Sequence, residues 1–183
     1  AYVAPGFEEA RAREQTRFSN DVRVWQEDES PYRVVAQILR ERGVGTGRVG
    51  VEERMRFFVV DGVRRELPQA TFVEAVPVTA GCRMIKSPAE IALMQRANDV
   101  TLAAYKAAFA TLHEGMTQFE FQRNVESAFA RLGVPNGSAG AQFGQYSAYP
   151  HGSVTPQKLR AGDVVLVDGG CKVEGYSSDI TRT

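Results

Sequence analysis

An apolar run, Val165-Leu166-Val167, ends in Asp168; a glycine-punctuated turn follows, and a second arm carries Asp179. In a hairpin, facing residues share a constant sum of positions, so a turn centred on Val173 and Glu174 sets Asp168 opposite Asp179. Facing side chains stand roughly 4.5–5.5 Å apart at Cβ, and like charges so placed destabilise a sheet. Two divalent cations convert that repulsion into a binding site, since two-metal centres hold their ions about 3.5–4 Å apart. The chain must therefore fold so that an antiparallel hairpin keeps one charged face. Asp-Gly is also ordinary turn punctuation, so spacing alone leaves open a pair of solvated surface acids.

The flanking residues decide more. Gly175-Tyr176-Ser177-Ser178-Asp179-Ile180-Thr181-Arg182-Thr183 resembles the signature of the pita-bread metallopeptidases, which include prolidase, aminopeptidase P and methionine aminopeptidase. The stretch from Ser178 to Thr183 is most similar to prolidase and aminopeptidase P. The resemblance implies that Asp168 and Asp179 bind a dinuclear metal centre, with Asp179 bridging the ions. It favours Mn²⁺, with Co²⁺ or Zn²⁺ as alternatives. Pro150-His151-Gly152, 17 positions before Asp168, and the preceding Ala141 to Ala148 share the likeness. They imply a catalytic His151 that is not a ligand and donates a hydrogen bond to the substrate carbonyl or the tetrahedral intermediate. Thr181 would stand behind the ligands, its hydroxyl orienting a carboxylate; by residue type it is equally an ordinary strand threonine. The other histidine, His113, precedes Gly115 near an expected helix end, where a cation suits the helix dipole.

Earlier segments alternate strand and helix signals. Phe7 to Phe18 reads as a charged helix, Val22 to Trp25 and Arg48 to Val51 as short strands, and Thr71 to Val76 as another. Ser30-Pro31 opens a helix with Val34, Val35, Ile38 and Leu39 on one face and Gly43 past its end. Met55 to Leu67 fits a helix, although Asp61-Gly62 also reads as a hairpin turn. Trp25, Phe57, Phe58 and both cysteines are expected in the core. Ser87-Pro88-Ala89-Glu90 and Thr117-Gln118-Phe119-Glu120 are capping boxes, opening a helix that ends near Gly115 and one that stops at Gly133. The Lys86-Ser87-Pro88 junction also resembles prolidases and aminopeptidases P. The expected architecture is an incomplete N-terminal α/β domain, residues 1–84, followed by the first half of an α+β pita-bread (creatinase/aminopeptidase-like) catalytic domain, residues 85–183.

The totals exclude several classes. With 22 basic and 22 acidic residues, the chain has no bulk attraction for nucleic acid or an anionic membrane. No apolar stretch approaches the roughly 20 residues that span a bilayer. Two distant cysteines, Cys82 and Cys171, form no metal-type pair, and free thiols fit a reducing cytoplasm. The resemblance implies a Xaa-Pro dipeptidase, with a proline-containing peptide as substrate and a homodimer as the assembly. Aminopeptidase P shares the same motifs, and a non-catalytic pita-bread peptide-binding module is the rival from another class. The family also uses one His and two Glu ligands from segments further along. The chain is therefore expected to be a fragment that is inactive without the remaining part of the enzyme.

Overall fold

Parallel strands need a crossover between them, usually a helix, and the first part of the chain makes two such units. In the computed structural model, which describes every residue except Pro150, the chain divides into Ala1–Ile85 and Lys86–Thr183. In the first unit β1 (Tyr2–Pro5) pairs in parallel with β2 (Val22–Trp25) across α1 (Glu9–Gln15). After α2 (Pro31–Glu41), β3 (Arg48–Val51) pairs in parallel with β4 (Thr71–Glu74) across α3 (Phe57–Glu66). Ala36, Val63 and Leu67 are buried in one small core, with Val35, Leu39 and Phe72 packed against it. Gly62 lies inside α3 rather than in a turn. A Cβ there would stand 2.5 Å from the Tyr32 ring of α2, so glycine serves the close approach of two helices.

Some expectations for this unit change. The helix expected from Phe7 shortens to α1 behind a 3₁₀ turn at Gly6–Glu8. Both β1 and α4 (Val76–Met84) had no clear signal, and α4 takes over where strand was expected to continue. Phe57 and Phe58 are 79% and 57% exposed, not core, because the inward stripe of α3 runs through Val63. Cys82 is exposed as well, on a helix with no buried residue.

The second unit is built on two capped helices. In α5 (Pro88–Phe109), the Glu90 carboxylate accepts from the Ser87 N–H at 2.7 Å while Ser87 Oγ accepts from the Glu90 N–H. Thr117 and Glu120 repeat that exchange at the start of α6 (Gln118–Arg131). Phe121, Val125 and Phe129 recur every fourth residue on α6 and are all fully buried, meeting Tyr105 and Ala104 of α5. A three-stranded antiparallel sheet covers these helices in the order β5 (Ser138–Phe143), β6 (Val165–Gly170), β9 (Ile180–Arg182). Between β6 and β9 lies the small ladder of β7 (Lys172–Val173) and β8 (Tyr176–Ser177). No helix among the described residues is long and apolar enough to cross a membrane.

The capping boxes carry a pH signature. Backbone and hydroxyl hydrogen bonds from Ser87 and Thr117 hold Glu90 and Glu120 below their ordinary value of 4.5. A carboxylate with a lowered folded pKa stabilises fully above its unfolded pKa, and that contribution disappears as pH falls through the folded value. The double variant Glu90→Gln/Glu120→Gln should therefore flatten the fall in thermal midpoint below about pH 4.5, the upper edge of that window. An unchanged acid limb in a melting series from pH 7 to 3 would contradict this account.

Candidate metal centre

The hairpin turns at Glu174 and Gly175, both with positive φ (48° and 86°), the signature of a two-residue turn whose twist matches its strands. This moves the turn from the expected centre at Val173 and Glu174. Asp168 consequently faces Thr181, not Asp179, and Lys172 faces Ser177 in the same register. The shift in pairing is two residues, and side-chain direction has period two, so both carboxylates keep the same face. They are diagonal neighbours rather than a facing pair, a relation that places Cβ atoms up to roughly 7–8 Å apart. Asp168 and Asp179 line one open groove together with Gly140, Gly170, Lys172 and Ser177.

The opposite face of the hairpin is apolar and locked to α5. Val167 and Cys171 are buried, and Val165, Val173 and Ile180 pack against the same core. The hydroxyls of Thr101 and Ser178 are 2.7 Å apart, and Ser178 Oγ also accepts from the Cys171 N–H at 2.9 Å. The Tyr105 phenol donates to the Ile180 carbonyl at 3.0 Å. Burial, then the charges of Asp168 and Asp179, push that phenol well above its ordinary pKa, so it remains a donor at any physiological pH.

Three observations bear on whether metal suits this place. The residue facing Asp168 from β5 is Gly140, so no side chain covers that carboxylate on the β5 side, while Thr181 faces it from β9. Carboxylate oxygens are suitable donors for Mn²⁺ and similar hard ions. Thr181 donates its hydroxyl to Asp168 Oδ1, which fixes the rotamer of that carboxylate. The donor set is nonetheless small: among the described residues no group of three or more His, Cys, Asp or Glu forms a metal-sized cluster. The fit is that of part of a site.

His151 is exposed on the loop after β5 and does not line the carboxylate groove, while its neighbour Pro150 lies outside the described residues. The loop is nevertheless close to that sheet. A Cβ on Gly152 would stand 2.7 Å from Gln142 Nε2, and the same amide nitrogen would be 3.6 Å from one on Gly140, the residue facing Asp168. Gln142 thus connects the His151 loop to the position opposite the carboxylate. Its contribution, like those of Tyr105 and Ser178, was not singled out by the sequence. A visible trace was there for Thr101 and Tyr105, two hydroxyls four residues apart on an otherwise apolar helix face. His113 is exposed beyond the end of α5, with Nδ1 3.2 Å from the Thr111 carbonyl oxygen.

Comparison with known proteins matches residues 92–183 to the model for metallopeptidase family M24, and residues 1–85 to that for the creatinase/prolidase N-terminal domain. The chain belongs to metallopeptidase family M24. An uncharacterised peptidase of Schizosaccharomyces pombe is 33% identical over the whole chain, which covers 40% of that protein. The Xaa-Pro dipeptidase of Pyrococcus horikoshii is 28% identical over 76% of the chain and 40% of its own length. Among solved structures, dipeptidase PepE from Mycobacterium ulcerans superposes with a TM-score of 0.85 at 27% identity, covering 98% of this chain and 48% of that one. The chain spans about half the length, or less, of the M24 relatives it matches. Its fold is that of the creatinase/prolidase N-terminal domain followed by pita-bread structure, and the family implies divalent metal ions.

Proposed function

We propose that this chain supplies two carboxylate ligands, Asp168 and Asp179, to a dinuclear metal centre that hydrolyses Xaa-Pro dipeptides. The observation that carries the reading is the shared groove: both carboxylates line it from one hairpin face, and the position facing Asp168 from β5 is a glycine. When bound, divalent ions supply Lewis acidity and lower the pKa of water toward neutrality. Thr181 holds the Asp168 carboxylate in one orientation. His151 is the proposed donor to the substrate carbonyl oxygen, and the support for it is the packing of its loop on Gln142. We take residues 1–84 as the N-terminal domain and 85–183 as the catalytic portion.

Two carboxylates cannot close two coordination shells, so activity is assigned to a longer polypeptide that brings the other ligands. Mn²⁺ is the proposed metal and a homodimer the proposed assembly, with the cytoplasm as compartment in view of two free thiols. The test uses Gly-Pro, Ala-Pro and Gly-Pro-Ala, with and without Mn²⁺, on the 183-residue chain and on the product of the whole reading frame. The expected result is Mn²⁺-dependent cleavage of both dipeptides by the whole product and negligible turnover by the chain alone. Cleavage of Gly-Pro-Ala with the dipeptides left intact would make it an Xaa-Pro aminopeptidase. Equal turnover by the chain alone would show that the ligands lie elsewhere.

A further inference from the structure

Asp179 belongs to no strand: it lies between the two residues of β8 and the three of β9, so no regular ladder fixes its backbone. Yet the residues around it are held, by the neighbouring arm and by one helix in particular. Along the returning arm, Tyr176, Ser178 and Ile180 alternate with Ser177, Asp179 and Thr181. Every member of the first set meets a polar group of α5. The Tyr176 phenol donates to Glu90 Oε1 at 2.9 Å, the Ser178 hydroxyl meets that of Thr101, and the Ile180 carbonyl accepts from Tyr105.

We propose that Thr101 and Tyr105 are positioning residues for Asp179: two hydroxyls one helical turn apart that grip the residues on either side of it and aim its carboxylate into the groove. The proposal rests on the reading of Asp179 as a metal ligand. Its geometry follows from helical spacing, since residues four apart stand on one face, and here that face meets positions 178 and 180 of an extended arm. Thr101 and Tyr105 are 0% and 2% exposed, so water does not compete for these bonds. Ser178 extends the grip. Its Oγ also accepts from the Cys171 N–H, which ties the Asp179 arm to the arm carrying Asp168. One helix thereby sets the spacing between the two carboxylates.

The test compares Thr101→Val, Thr101→Ser, Tyr105→Phe and Asp179→Asn in the whole reading-frame product, by Mn²⁺ titration calorimetry and by amide exchange of the metal-free protein. Loss of a group that orients a ligand typically costs about 10–100-fold in metal affinity, and Thr101→Val and Tyr105→Phe should each fall in that range. Both should also speed exchange at Asp179 and Ile180 without changing it in α6. Thr101→Ser keeps the hydroxyl and should retain wild-type affinity. Should Thr101→Val fail to fold, Tyr105→Phe still decides, because its ring keeps the edge-on contact with Phe129. A lower thermal midpoint with unaltered affinity and exchange, beside an Asp179→Asn that abolishes binding, would overturn the positioning role alone. Unaltered Mn²⁺ affinity in Asp179→Asn would overturn the ligand reading beneath it.

Discussion

Asp179→Asn should lower the Mn²⁺ affinity of the whole protein by more than about 100-fold, beyond the range typical of residues that merely orient a ligand. Catalytic efficiency on Gly-Pro should fall at least as far. Asparagine preserves the size of the side chain and removes its charge, so the loss comes from the donor rather than from packing. The same change relieves the Coulomb repulsion between two carboxylates that are diagonal neighbours on one sheet face. The metal-free variant should therefore melt at or slightly above the wild-type temperature, while added Mn²⁺ should no longer raise its midpoint. Calorimetric titration and thermal melts with and without Mn²⁺ separate these effects. A variant that is both less stable and fully able to bind Mn²⁺ would show that Asp179 serves the fold and not a metal.

Gly170→Ala should destabilise the second unit by about 3 kcal/mol or more, the upper end of the range for overpacked sites. The added Cβ would lie 2.1 Å from the Ser178 carbonyl oxygen and 2.7 Å from its carbon, distances that demand backbone movement. Ser178 has little room to retreat: its N–H donates to the Cys171 carbonyl at 3.0 Å, and its hydroxyl is engaged by Thr101. For a domain of this size each kcal/mol shifts the midpoint by roughly 4–8 °C, so a drop of about 12 °C is the minimum expected. Gly175→Asn is the control, because asparagine tolerates the left-handed conformation at that turn and little surrounds it. Wild-type stability in Gly170→Ala would mean that the two arms can separate without cost.

The sequence revealed elements wherever a local rule sufficed. Ser87 with Glu90 and Thr117 with Glu120 are local exchanges, readable from four residues, and both helices begin there. The hairpin was legible for the same reason, but its register was not. Val173-Glu174 and Glu174-Gly175 are competing turn centres, and the choice depends on which residue can adopt positive φ as well as on how Val173 and Ile180 pack below. Gly62 shows the complementary limit. Its glycine answers to Tyr32, thirty positions away, and no local pattern reports that contact. Phe57 and Phe58 mislead in the opposite direction, since residue type says buried and helix phase says otherwise. At the candidate site the two carboxylates were visible, whereas the hydroxyls of Thr101 and Tyr105 become meaningful only once α5 lies under the returning arm.

The two-residue displacement of the hairpin leaves its charged face intact, and this defines which length changes the loop can absorb. Adding or removing a pair of residues at Glu174-Gly175 carries the far arm along by one full side-chain period, so an acid stays over the groove. A single inserted residue turns that arm over, sending Asp179 into the apolar layer against α5 and lifting Ser178 and Ile180 into water. The facing of the far arm therefore depends on the parity of the loop's length, while positive φ at Glu174 and Gly175 limits its composition. Grafted loops or tags at the turn should be sized in even steps.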